Sequence, residues 1–194
     1  GYDQIFVMDS SGNDVTQLTF DAGDKSRPVW SPDGSQIAFV ADGGTGPYNT
    51  RYGLDIWVMN ADGSEPVNLT LSIGDDADPM WHPDGSRIVF ASWRFGKDPL
   101  LFFMNADGSE QTLLSDEFSE YNPTFSPDGK YLAFASTYFY TLNIRRGVNY
   151  SVREMFDEEL GRLIQPAWSP SGQYIAYVST LGGGSKIVLI EFES

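Results

Sequence analysis

The stretch RPVWSPDGSQIAFVAD, residues 27–42, returns three times in altered form, and no other feature limits the folds open to this chain so strongly. Aligned on itself it gives Pro28-x-Trp30-Ser31-Pro32-Asp33-Gly34, Pro79-x-Trp81-His82-Pro83-Asp84-Gly85, Pro123-x-Phe125-Ser126-Pro127-Asp128-Gly129 and Pro166-x-Trp168-Ser169-Pro170-Ser171-Gly172. The prolines are 51, 44 and 43 residues apart. A second motif interleaves with the first: IFVMDSSG (5–12), IWVMNADG (56–63) and LFFMNADG (101–108), each leading to Leu-Thr or Leu-Ser. Periods of this size belong to solenoids, propellers or arrays.

Each turn has a physical reading. In Pro-Asp-Gly the proline presets φ for a tight turn, Asp bonds its own backbone, and Gly takes the position with φ above zero. Asn-Ala-Asp-Gly makes a second hairpin of similar chemistry. Each repeat therefore predicts two hairpins, or four strands A to D, with A near 28–31, B at 36–41, C at 54–60 and D at 66–70. Strand B is apolar throughout: Ile37 to Ala41, Ile88 to Ala91, Leu132 to Ala135, Ile175 to Val178. A strand with one wet face alternates; these do not, so both faces are buried. Four-stranded antiparallel sheets stacked face to face around an axis satisfy that demand, which predicts an all-β propeller. Proline two residues before the aromatic suits an inner edge strand, where its missing N–H breaks no ladder. The periodic Trp30, Trp81, Phe125 and Trp168 read as core wedges between blades rather than as a ligand cage.

These residues resemble the TolB-like, WD40-like (PD40) propeller repeat. The likeness rests on W-S-P-D-G-S-Q-I-A-F and its three relatives, with V-M-N-A-D-G-S-E between them, and covers nearly the whole chain. It implies an extracytoplasmic, periplasmic propeller that scaffolds partner proteins. The same family includes propellers attached to serine peptidases and some that act on carbohydrate, so a hydrolase-associated or carbohydrate-binding role is the alternative. Two departures stand out. Ser171 replaces Asp in the fourth turn, and NIRRGVNYSV (143–152) replaces the third Asn-Ala-Asp-Gly turn. Spacing within 150–164 also permits a helix, but the ten-residue interval back from Pro166 favours strand D at 150–156.

Composition removes several functions. With 12 Lys and Arg against 27 Asp and Glu the formal net charge is −15, which repels phosphate backbones and argues against nucleic acid. There is no Cys, hence no disulfide, thiolate metal site or Cys nucleophile. No apolar run reaches the ~18 residues of a membrane span. Gly1-Tyr2 without Met or a leader-like stretch reads as a processed or trimmed form. His82 is the only histidine and sits where Ser31, Ser126 and Ser169 recur, beside a structural turn. With no G-x-S-x-G elbow either, no catalytic residue is expected. DSSGND and the NADGSE runs lack calcium-loop spacing and read as turns. Asp75, Asp76 and Asp78 form an acidic run that reads as a solvated loop rather than a cation site. GGGS (182–185) precedes no helix and is no phosphate loop. Neither cofactor nor metal is expected.

One asymmetry points to function. A–B and C–D turns are short and nearly identical; B–C and D–A connections vary and share the opposite face of a propeller. Binding residues concentrate on variable loops held by a rigid scaffold. Those loops and their surroundings carry Tyr48, Arg51, Tyr52, Trp93, Arg94, Phe95, Tyr138 and Tyr140, of the types enriched at interface hot spots. They are the expected contacts for a protein partner.

The chain reads as a single propeller domain, 1–194: a partial blade 1–20, repeats 21–70, 71–115 and 116–165, and a final partial blade 166–194. That makes 17 strands, one more than a four-bladed ring holds. Either 15–19 pairs beside 186–192 to close a compact ring, or the chain is an arc of a larger, six-bladed propeller.

Overall fold

The computed structural model describes residues 1–43, 53–114, 119–136, 141–146, 150, 152–156, 163–180 and 184–192. Among the described residues, seventeen strands in five antiparallel sheets follow one another in chain order. β1 (Phe6–Val7) and β2 (Thr16–Gln17) form a half-blade. The first full blade comprises β3 (Lys25–Trp30), β4 (Gln36–Asp42), β5 (Leu54–Asn60) and β6 (Val67–Asn68). The second comprises β7 (Asp76–Trp81), β8 (Arg87–Ser92), β9 (Leu100–Asn105) and β10 (Thr112–Leu113). The third holds β11 (Glu120–Phe125), β12 (Tyr131–Ser136), β13 (Thr141–Arg146) and β14 (Val152–Phe156). The last has β15 (Leu163–Trp168), β16 (Tyr174–Ser179) and β17 (Lys186–Glu191). β14 is a strand paired with β13, not a helix. No helix among the described residues is long and apolar enough to cross a membrane.

The apolar B strands of the three full blades are buried on both sides, whereas in the last blade Ile175 and Tyr177 are buried and Ala176 and Val178 only half-buried. Ile37, Phe39 and Ala41 pack against Ile5 and Leu18 of the half-blade, while Ala38 and Val40 pack against Ile88, Phe90 and Trp81 of the second blade. Val89 and Ala91 then meet Leu132 and Phe134 of the third, and Ala133 meets Ile175 and Tyr177 of the last. Complete removal of such side chains from water stabilises by about 1.5–3 kcal/mol each. The turns follow their chemistry: Gly34, Gly85, Gly129 and Gly172 all have φ between 70° and 76°. In the first turn Ser31 donates its hydroxyl to Asp33 at 2.7 Å and accepts the Gln36 N–H at 2.9 Å.

The structure decides between the ring and the arc, and one expectation fails. β2 pairs with β1 alone and β17 with β16 alone, so 15–19 and 186–192 do not close a ring. Each end sheet instead packs one face on its neighbouring blade, through Ile5 and Leu18 or Val188 and Ile190, and leaves Phe6 or Ile187 and Leu189 exposed on the other, so the described residues form an arc. Trp30 is not a core wedge: it is 47% exposed, whereas Trp81 and Phe125 are buried. Among the described residues no B strand stands beside Trp30 in the half-blade, whereas Ala38 and Val40 of the first blade pack in the cluster that holds Trp81.

Candidate functional site

The expected contacts fall into three groups. Tyr48, Arg51, Tyr52, Tyr138 and Tyr140 lie outside the described residues. Trp93 is half-buried and packs against both clusters that flank the second blade, those shared with the first and with the third blade. Phe95 is 69% exposed, its ring tilted against Phe102 at 5.9 Å. Arg94, between them, turns back into its own blade. Its guanidinium lies 4.4 Å over Phe102 and 5.4 Å from Phe90, and it bonds Gln111 Oε1 at 2.9 Å and both Asp76 carboxylate oxygens at 3.1 and 3.3 Å. Burial raises the Asp76 carboxyl above its ordinary range, against the pull of Ser92 and Arg94. The acidic run is therefore not a solvated loop. Asp76 is fully buried, Asp78 pairs with Arg27, and Asp75 accepts the Leu54 N–H at 2.9 Å.

A feature the sequence reading missed lies on the inner wall. In each of the four A strands the ladder slips by a bulge, between Ser26 and Val29, Ala77 and Met80, Tyr121 and Thr124, Ile164 and Ala167. Inside each bulge, directly before the motif proline, one non-glycine residue is left-handed: Arg27 (φ 53°), Asp78 (55°), Asn122 (49°) and Gln165 (53°). Left-handed backbone costs an L-residue about 1–2 kcal/mol, and residues before proline favour extended geometry. The four side chains and their prolines converge on one cleft of about 260 Å³. They bond in sequence around it. Arg27 pairs with Asp78, Asn122 donates its backbone and side-chain N–H to Asp78 Oδ2 at 3.0 and 2.8 Å, and Gln165 N–H donates to Asn122 Oδ1 at 3.3 Å. The available signal was a polar residue before all four prolines.

On the turn side, His82 Nε2 lies 2.9 Å from the Tyr150 hydroxyl, which donates to the Gly129 carbonyl. His82 Nδ1 is 2.7 Å from Asp84 Oδ1. Acid, imidazole and hydroxyl are thus in line, but Tyr150 is buried and burial pushes its phenol up to about 12. The arrangement joins blades rather than presenting a nucleophile. Among the described residues no three His, Cys, Asp or Glu side chains are grouped to hold a metal.

The TolB beta propeller domain model (PD40) matches residues 48–159, more than half of the chain. The chain belongs to the TolB beta propeller domain family. A protein named TolB homolog from Chlorobium chlorochromatii is 31% identical over 137 residues, 70% of this chain and 29% of that protein. The uncharacterized peptidase YuxL of Bacillus subtilis is 27% identical over 133 residues, 68% of this chain and 19% of that protein. The chain thus spans less than a third of the curated relatives it matches. The solved TolB of Acinetobacter baumannii superposes with a TM-score of 0.80 at 19% identity, over 97% of this chain and 46% of that one. At that identity the likeness shows the fold alone. As a TolB-type propeller, the chain offers a rigid stack of sheets with two chemically distinct surfaces. The variable-loop side holds Phe95 in the open, and the inner wall holds a strained polar row.

Proposed function

We propose that this chain is a non-catalytic, protein-binding propeller module, a scaffold or accessory subunit of an extracytoplasmic, periplasmic assembly. The carrying observation is Phe95. Its aromatic ring stands in solvent at the tip of a B–C connection, while its neighbour Arg94 is tied down by Asp76, Gln111 and Phe102. An exposed aromatic on a pre-ordered loop contributes contact area with little loss of conformational freedom on binding. Tyr48, Arg51, Tyr52, Tyr138 and Tyr140 belong to the same proposed face; Trp93 and Arg94 support it from beneath. The partner is a protein, docked on the variable-loop side, and nucleic acid is disfavoured by the net charge of −15.

The test is co-purification of the native chain from its source with cross-linking and mass spectrometry, followed by measured binding of the recovered partner. Cross-links concentrated on the variable-loop side support the proposal. The alternative, a propeller serving an attached hydrolase or binding carbohydrate, is favoured instead by turnover or oligosaccharide binding that one inner-wall substitution abolishes.

A further inference from the structure

The second blade fills a place that the first leaves open. In the second blade the Arg94 guanidinium lies on the faces of Phe90 and Phe102 and bonds Asp76, Ser92 and Gln111. The third blade repeats the device, with Arg145 5.5 Å from the Phe134 ring and bonded to Glu120 at 3.2 Å. By strand register and motif, Phe90, Phe102, Asp76, Ser92 and Gln111 correspond to Phe39, Trp57, Lys25, Ala41 and Pro66 of the first blade. All five line one cavity of about 350 Å³ between the half-blade and the first blade.

The substitutions decide what that cavity suits. The aromatic floor is kept: Phe39 and Trp57 are stacked with centroids 6.5 Å apart. The three groups that hydrogen-bond the guanidinium are replaced. Lys25 stands in place of the carboxylate, Ala41 in place of the hydroxyl and Pro66 in place of the amide. A cation inside would meet the Lys25 ammonium, itself bonded to the Ala22 and Gly23 carbonyls at 3.2 and 3.0 Å. What remains favours a flat, neutral, apolar group against aromatic faces. The opening is different in character. Phe20 is 76% exposed and the neighbouring Asp21 is exposed as well, in a chain of net charge −15.

We infer that this cavity takes an aromatic side chain of a partner protein, carried in a segment with Lys or Arg beside it. This rests on the protein-binding reading above and gives that partner its chemistry. The aromatic ring enters over Phe39 and Trp57, and the flanking cations meet the exposed Asp21.

The probes are the blocked tripeptides Ac-Lys-Trp-Lys-NH2, Ac-Lys-Ala-Lys-NH2 and Ac-Glu-Trp-Glu-NH2. The readout is the indole N–H resonance of Trp57 in the isotopically labelled full chain, assigned through Trp57→Phe. The expected result is a saturable shift with the first peptide and at least about tenfold weaker affinity for each of the others. Ala41→Phe, which fills the cavity, abolishes the shift. Should Ala41→Phe fail to fold, the set Lys25→Asp, Ala41→Ser, Gly43→Arg, Pro66→Gln rebuilds the arginine cluster of the second blade and blocks the same place. No shift with the first peptide, an equal affinity for the alanine peptide, or binding that survives a folded blocking variant overturns the inference. If the cavity fails in this way while Phe95→Ala still releases a native protein partner, only the cavity assignment is lost. If the Trp peptide binds and is cleaved, the non-catalytic reading falls instead.

Discussion

The Tyr150 hydroxyl and the His82 imidazole meet at 2.9 Å across the boundary between the third and second blades. Gly129 makes room for them: a Cβ there would stand 2.9 Å from both Cε1 and Nε2 of His82. Tyr150→Phe removes the bond to His82 and the bond to the Gly129 carbonyl while keeping the ring packed on Phe103 and Phe125. The expected loss is about 1–3 kcal/mol, read as a lower denaturant midpoint. An unchanged midpoint means the hydroxyl contributes no stability.

Arg94 is the second stability determinant. Arg94→Ala leaves the buried Asp76 carboxylate without its guanidinium, and removing one partner of a buried pair costs about 3–5 kcal/mol. Asp76→Ala in the same chain recovers much of this, because the stranded charge is then absent. A double-mutant cycle by thermal or chemical denaturation checks it, and additive effects of the two changes would contradict the pairing.

The inner wall separates strain from bonding. Gln165 is left-handed, and its exposed side-chain amide is bonded to no described residue. Gln165→Gly is expected to be neutral or to stabilise by up to about 1 kcal/mol, relief of strain outweighing the added unfolded-state entropy. Asn122→Gly removes the same strain but also the side-chain bonds to Asp78 and Gln165, keeping only the backbone bond to Asp78, and is expected to destabilise. Equal effects at the two positions would show that the row of bonds is immaterial.

How far the fold was legible follows from which interactions are local. Pro32-Asp33-Gly34 sets a turn from its own atoms, and an unbroken run such as Ile37 to Ala41 requires two covered faces, so blades and strand count could be read directly. Ring closure could not, because it depends on whether β17 prefers a distant edge or its neighbour's face. The site was legible only in part. Phe95 and Arg94 are adjacent in sequence and of similar interface type, yet one faces water and the other pairs with Asp76, eighteen residues away. No local pattern marks that difference. Arg27, Asp78, Asn122 and Gln165 were visible as polar residues before proline, but only the bulge turns them left-handed and brings them to one cleft.

Acid tests the turns. Asp33 is held at about 2 by the Ser31 hydroxyl and then by Ser35, and Asp128 at about 2 by Lys130, Ser126 and the Lys130 N–H. A carboxyl depressed in the folded state contributes stability that is present above its unfolded value, near ~4, and lost as pH falls through the folded value. Stability should therefore fall between about pH 4 and 2, and Asp33→Asn should flatten that part of the profile. A wild-type profile level over that window would contradict the assignment. Ser171, which replaces Asp in the fourth turn, adds nothing to this dependence.

The most direct test of the central claim is the affinity of the co-purified protein partner for wild-type chain and for Phe95→Ala, measured by calorimetry beside the melting temperature of each. Phe95 is largely solvated, so its truncation should leave the melting temperature within a degree or two while weakening binding by about tenfold or more. Unchanged affinity for the Phe95 variant, with the partner's cross-links lying on the A–B and C–D turns instead, would contradict the account.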